Sequence, residues 1–172
     1  MDYRNKLNKI KAFAFDVDGV LSSGMIAMPD GELLRMMDAR DGYIIKKSID
    51  RGWPIAIITG GCNQSVKVRF EKIGVKDYYD ANNSKSKLPC LKDFAQKHNI
   101  TTDEILYAGD DIADLACLKH AGIGACPIDA CQEAKEISDY ISQKEGGHGF
   151  VRELMEMVLR SQNQWPILTN EE

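Results

Sequence analysis

Short apolar runs alternate with amphipathic stretches along this 172-residue chain, and the better runs end in polar clusters. The strand candidates are Ala12 to Phe15, Pro54 to Ile58, Tyr78 to Asp80, Ile105 to Ala108 and Gly122 to Ala125. Between them, apolar spacing predicts helices from about Asp41 to Arg51, Asn63 to Lys72, Ser86 to His98 and Ile112 to His120. Such alternation constrains the chain to an α/β fold: a Rossmann-like, mostly parallel sheet flanked by helices. Phe15 runs into Asp16, Ile58 into Thr59-Gly60-Gly61, and Ala108 into Gly109-Asp110-Asp111. In open sheets of this kind ligands bind beyond the carboxyl ends of the strands, so three such clusters are expected to converge.

The stretch from Met25 to Met37 breaks the alternation. Pro29-Asp30-Gly31-Glu32 separates two short apolar runs there and reads as a hairpin turn. The first strand is therefore expected to be followed by a small β-hairpin flap, about residues 22–38, with no cap domain. Gly146, Gly147 and Gly149 precede an amphipathic helix to about Arg160, and residues 161–172 read as a tail that would affect substrate handling more than folding. The whole chain, 1–172, reads as one domain.

Composition narrows the partners. A chain that is 44% hydrophobic and 28% charged can bury a core, and its net charge of −4 supplies no basic stripe for a nucleic-acid backbone. No stretch approaches the roughly 20 apolar residues of a membrane span, and no apolar signal region opens the chain. Five cysteines, Cys62, Cys90, Cys117, Cys126 and Cys131, are scattered without metal-knuckle spacing, and the three histidines form no ligand pair. Free thiols in a reducing compartment, the cytoplasm, are expected.

The chemistry concentrates in Asp16-Val17-Asp18-Gly19-Val20. Two carboxylates at one strand exit oppose each other's ionisation, which suits a nucleophile and an acid beside a divalent metal. Asp16 is placed to attack phosphorus and form an aspartyl-phosphate. Asp18 is placed to protonate the departing alkoxide and then deprotonate the hydrolytic water. Gly-Asp-Asp-Ile-Ala-Asp offers hard oxygen ligands that suit Mg2+, with Asp110 a direct ligand beside Asp16. Asp111 and Asp114 are read as water-mediated or structural, Asp111 also as a helix N-cap. Thr59 and Gly60 supply a hydroxyl and backbone N–H groups for phosphate. Residue types alone leave Lys85 and Lys87 as equal candidates for the cation this group needs.

These motifs, in this order and over almost the whole chain, resemble the haloacid dehalogenase superfamily: DxD (Asp16, Asp18), Thr59, Lys87 and GDD (Asp110, Asp111). The resemblance implies Lys87 as the cation, and Mg2+ bound by the Asp16 and Asp110 side chains with the backbone carbonyl of Asp18. The short flap, Asp38-Ala39-Arg40-Asp41-Gly42 and the glycine-rich segment ending in Arg152-Glu153 are similar to the capless 3-deoxy-D-manno-octulosonate 8-phosphate phosphatases. That likeness implies release of phosphate from a phosphorylated sugar acid in lipopolysaccharide sugar biosynthesis. It also implies a homotetramer in which a neighbouring flap closes the site. Substrate contacts carried over are Asp38, Arg40, Asp41, Gly42, Lys46, Arg69 and Arg152. Gly61 stands where many of those enzymes have arginine and where relatives acting on the nine-carbon nononate phosphate have glutamate. His148 and Phe150 replace the commoner arginine and alanine of the tail. Competing readings are a phosphatase for the nine-carbon or another sugar phosphate, a receiver-type signalling domain, in which the phosphoaspartate persists, and a structural interaction domain.

Overall fold

The computed structural model describes residues 2–31, 33–61, 64–81 and 86–166. Six parallel strands form the main sheet in the order β5-β4-β1-β6-β7-β8. They are β1 (Ala12–Phe15), β4 (Ile55–Thr59), β5 (Asp77–Asp80), β6 (Ile105–Ala108), β7 (Ile123–Cys126) and β8 (Tyr140–Ile141). The first strand in the sequence is thus central, flanked by β4 and β6. A separate antiparallel pair, β2 (Ser22–Ala27) and β3 (Leu34–Met37), is the expected flap.

The main sheet is buried on both faces, which explains why its strands read as continuous apolar runs. Alternate residues serve opposite layers. Phe13, Phe15, Ile57, Leu106 and Ile123 join the core beneath α1 (Ala39–Asp50), α2 (Gln64–Lys72) and α6 (Phe150–Ser161). Ala14, Ala56, Ile58, Ile105 and Tyr107 join the core beneath α3 (Leu88–Lys97), α4 (Leu115–His120) and α5 (Gln132–Ile137). Each predicted strand is present within one residue at either end. The stretch predicted as a helix from Ile112 opens instead as a 3-10 turn, Ile112–Asp114, before α4, because Asp111 caps that turn with its own side chain. Neither α5 nor the two-residue β8 was expected. Asn63, the predicted start of the second helix, lies outside the described residues, as do Cys62, Lys85 and residues 167–172.

The segment after α6 departs from the sequence expectation. Gln162 donates to the backbone carbonyls of Leu7 and Ile10 at 3.0 and 2.8 Å, ahead of β1 and away from the strand ends that carry Asp16 and Thr59. Gln164 accepts from the Trp53 indole N–H at 3.0 Å, and the Trp165 ring stacks on the Arg152 and Arg160 guanidinium groups. Residues 162–165 are therefore structural. Gln162→Ala leaves two carbonyls short of a donor, at about 1–2 kcal/mol, and is expected to lower Tm by roughly 2–8 °C without changing the KM for substrate. Unchanged melting with a raised KM would restore the substrate-handling role.

Candidate active site

The carboxyl ends of β1, β4 and β6 enclose a cavity of about 310 Å3 lined by Asp16, Asp18, Thr59, Gly60, Lys87, Asp110, Asp111 and Asp114, with Gly24, Gly61 and Ala113. The convergence expected from three strand ends is present. Asp16 continues β1 pairing, its N–H donating to the Ala108 carbonyl at 3.0 Å, so the nucleophile candidate is fixed by the sheet itself. The chain then turns at Gly19, whose φ of +83° is costly for other residues. A Cβ there would lie 2.0 Å from Asp110 Oδ2, so only glycine lets the two loops meet. From behind, Gly146 packs against the Gly19 carbonyl so closely that its own Cβ would lie 1.9 Å away. These C-terminal glycines serve close approach.

Lys87, just ahead of α3, is the hub. Its Nζ lies 2.8 Å from Asp16 Oδ1 and donates to Asp114 Oδ1 at 2.9 Å, and all three side chains are almost wholly buried. Asp114 also accepts from the Tyr107 hydroxyl and, through Oδ2, from the backbone N–H groups of Asp110 and Asp111 at 3.1 and 3.3 Å. It ties together β6, the loop after it and Lys87. Asp114, read from the sequence as water-mediated or structural, is a buried anchor of the site, whereas Asp111 is an exposed cap of the following turn. Thr59 is buried, with its Oγ1 accepting from the Gly61 N–H at 3.1 Å, and this contact shapes the Gly60–Gly61 turn.

Charge in this cluster is unbalanced. Asp16, Asp110 and Asp114 each offer an oxygen within 4.8 Å of the others, and among the described residues one ammonium, that of Lys87, pairs with Asp16 and Asp114. Burial, and then the Asp114 charge, push Asp16 up to about 7 despite Lys87. Burial, then Asp16 and Asp114, push Asp110 up to about 8. Lys87 is held above its ordinary value by the Asp16 and Asp114 carboxylates, although burial works against its charge. Asp110 Oδ1 is buried without a hydrogen-bond partner. Two uncompensated negative charges and an orphaned carboxylate oxygen fit one divalent cation with oxygen preference.

A haloacid dehalogenase-like hydrolase family model matches residues 80–154. The 3-deoxy-D-manno-octulosonate 8-phosphate phosphatase KdsC of Escherichia coli is 32% identical over 164 residues, which span 95% of this chain and 86% of that protein. The chain belongs to the haloacid dehalogenase-like hydrolases. Among solved structures, the 3-deoxy-D-manno-octulosonate 8-phosphate phosphatase of Moraxella catarrhalis, in complex with magnesium, phosphate and KDO, superposes with a TM-score of 0.88 at 34% identity, covering 95% of this chain and 93% of that one. The cobalt-bound enzyme of Haemophilus influenzae gives 0.85 at 29% identity, covering 92% of each.

The hydrolase does not gather all the expected substrate contacts into this cavity. Asp38 caps α1 by accepting from the Arg40 N–H, and the Arg40 guanidinium closes back on Asp38 at 2.5 Å, holding that carboxyl below its usual range. Asp41 is buried and accepts from the Arg152 backbone N–H at 2.7 Å, capping α6; burial, foremost, pushes it up to about 6. Lys46 pairs with Asp50 one turn on, and the Arg152 guanidinium lies between Glu156 and Trp165. Arg69 packs over Gly42 at the start of α1 and lines a second cleft of about 210 Å3 with Leu34, Arg35, Met37, Ser65 and Val66.

Arg35 of the flap, which no sequence argument singled out, grips Asp18: Nε donates to Oδ1 at 2.5 Å and Nη2 to Oδ2 at 2.9 Å. A lone arginine inside the apolar run Leu34-Arg35-Met36-Met37 was the available signal.

The raised carboxyl groups carry a stability consequence. Asp16, Asp110 and Asp41 keep protons in the fold to about 7, about 8 and about 6, whereas their ordinary value is 3.8. Their contribution is complete below the ordinary value and is lost as pH rises through the folded values. The metal-free hydrolase is therefore expected to melt at progressively lower temperature from about pH 5.5 to 8.5, with a larger Tm gain from added Mg2+ at the upper end. Scanning calorimetry across that range, with and without the ion, measures both trends; a Tm that rises with pH in the metal-free form contradicts the charge imbalance.

Proposed function

We propose that this hydrolase is a Mg2+-dependent phosphatase that converts 3-deoxy-D-manno-octulosonate 8-phosphate to 3-deoxy-D-manno-octulosonate and phosphate, in lipopolysaccharide sugar biosynthesis. The observation that carries the reading is the close set of Asp16, Asp110 and Asp114, of which Asp16 and Asp114 are buried and paired with Lys87. Asp16 and Asp110, with the Asp18 backbone carbonyl, would hold Mg2+, which when bound neutralises phosphoryl oxygens. The Asp16 carboxylate attacks phosphorus while the bond to the sugar oxygen breaks, and Asp18 gives its proton to the departing alkoxide. Water then attacks the phosphoryl group on Asp16, Asp18 takes a proton from it, and Asp16 is restored as phosphate leaves. Lys87, Thr59 and Gly60 hold the phosphoryl oxygens. Arg40 and Gly42, at the start of α1, and Arg69, which packs over Gly42 from α2, are the proposed contacts to the sugar acid, whose carboxylate suits an arginine. Asp38 positions Arg40; Asp41, Lys46 and Arg152 act through α1 and α6.

A homotetramer is proposed as the working form. Met25, Met28 and Met36 of the flap are 77%, 69% and 83% exposed, with Ile26 and Leu34 beside them, a patch suited to a second copy whose flap closes the site. A cytoplasmic location is supported by the unpaired Cys90, Cys117, Cys126 and Cys131. No helix among the described residues is long and apolar enough to cross a membrane.

Phosphate release from the eight- and nine-carbon keto-acid phosphates, with Mg2+ and then with EDTA, tests the proposal. A higher kcat/KM for the eight-carbon substrate and loss of turnover with EDTA are expected. Equal or reversed preference rejects the substrate, and a persistent phosphoprotein without phosphate release favours a receiver.

A further inference from the structure

We propose that Arg35 is a positioning residue that fixes which oxygen of Asp18 exchanges the proton, and that Gly61 is the space that admits it. The inference rests on the phosphatase reading, because it concerns how the acid of that reaction is held.

A carboxylate offers about four acceptor positions, two on each oxygen. Asp18 Oδ1 accepts from Arg35 Nε at 2.5 Å and faces the Ser22 hydroxyl at 3.3 Å, whose one hydrogen it shares with the Val17 carbonyl, so Oδ1 is the more heavily engaged oxygen. Among the described residues, Asp18 Oδ2 accepts from Arg35 Nη2 alone, at 2.9 Å. The pair therefore directs proton transfer to Oδ2. The Arg35 side chain is only 5% exposed and that of Asp18 31%, so this fork is a part-buried, oriented contact rather than a surface ion pair.

Gly61 explains how a flap residue reaches so far. A Cβ at that position would lie 3.2 Å from Asp18 Oδ2 and 3.3 Å from Arg35 Nη2, tighter than side chains ordinarily pack. The absent side chain would also stand beside Oδ2, the less engaged oxygen, and 3.8 Å from Thr59 Oγ1. Any longer residue there would compete with the guanidinium for one place. The substitution that separates this chain from arginine- and glutamate-bearing relatives thus has a local counterpart: the charge beside Asp18 comes from β3 of the flap.

A residue that aims the acid matters most when the leaving group needs a proton. Arg35→Ala, Arg35→Lys and Gly61→Ala should each lower kcat for the sugar-acid phosphate by about 10- to 100-fold, with KM and Tm little changed. With p-nitrophenyl phosphate, whose leaving group departs without protonation, the pre-steady-state burst of nitrophenolate should keep its wild-type rate within about threefold. Lysine is expected to fail because a point charge cannot reproduce the two-oxygen fork. Equal losses on both substrates, full activity of Arg35→Lys, or wild-type kcat in Gly61→Ala overturns the assignment. Gly61→Ala keeps the test valid should Arg35→Ala unfold. Wild-type protein that releases phosphate from neither substrate rejects the phosphatase reading itself and is thereby told apart from failure of this one.

Discussion

Asp16→Asn is expected to lower kcat by about 10,000-fold or more while leaving the metal-free protein at least as stable as the parent at pH 8. Loss of rate follows from loss of the nucleophile, since an amide cannot form the phosphoryl ester of a carboxylate. The stability half follows from the cluster's charge. Burial and the Asp114 carboxylate push Asp16 up to about 7, so at pH 8 its ionised form is a cost to the fold. Asparagine removes that charge, and Lys87 retains Asp114 at 2.9 Å. Stopped phosphate release, no phosphoprotein from labelled substrate and an undiminished Tm form the expected pattern. Near-normal phosphate release would place the nucleophile elsewhere.

Lys87→Met is expected to fail in both respects. The side chain touches two buried carboxylates, and removing one partner of a buried ion pair costs about 3–5 kcal/mol because the remaining charges are stranded. Metal-free Tm should fall by roughly 10 °C near pH 8, and by less near pH 5.5, where Asp16 is protonated and one fewer charge is stranded. Added Mg2+ should recover part of the Tm because it supplies positive charge to the same oxygens. It should not recover turnover, which is expected to stay about 100- to 1,000-fold down for want of a donor to the phosphoryl group. A pH-independent Tm loss would show Lys87 to act by packing alone.

The most legible parts of the fold were those whose physics is local. β1 and β6 are apolar on both faces, so no partner had to be known to recognise Ala12–Phe15 and Ile105–Ala108. Pro29-Asp30-Gly31 announced the flap because turn chemistry resides in the residues themselves. β8 was hidden because two residues carry no periodicity and its pairing to Ala125 and Cys126 is set by the sheet edge. In the site, Asp16, Asp110 and Thr59 were readable from their place at strand ends. Asp114 was readable only as water-mediated or structural, and only the fold reveals that Lys87, Tyr107 and two backbone N–H groups meet on it. Arg35 was missed for a similar reason: its partner lies 17 residues away across the flap.

The place of Gly146 against Gly19 has a consequence in time. The loop bearing Asp18 is synthesised early, yet its flanking strand β6, the lysine beside Asp16 and the glycine at its back all come from later parts of the chain. Pairings of such long sequence separation form late and together. A nascent chain lacking residues beyond about 145 would hold β6 and Lys87 but not the glycine that backs the Asp18 loop, nor α6, which covers one face of the sheet. The Asp18 loop is thus backed by a segment made after every proposed catalytic residue, and phosphate turnover is expected to report on the docking of that segment.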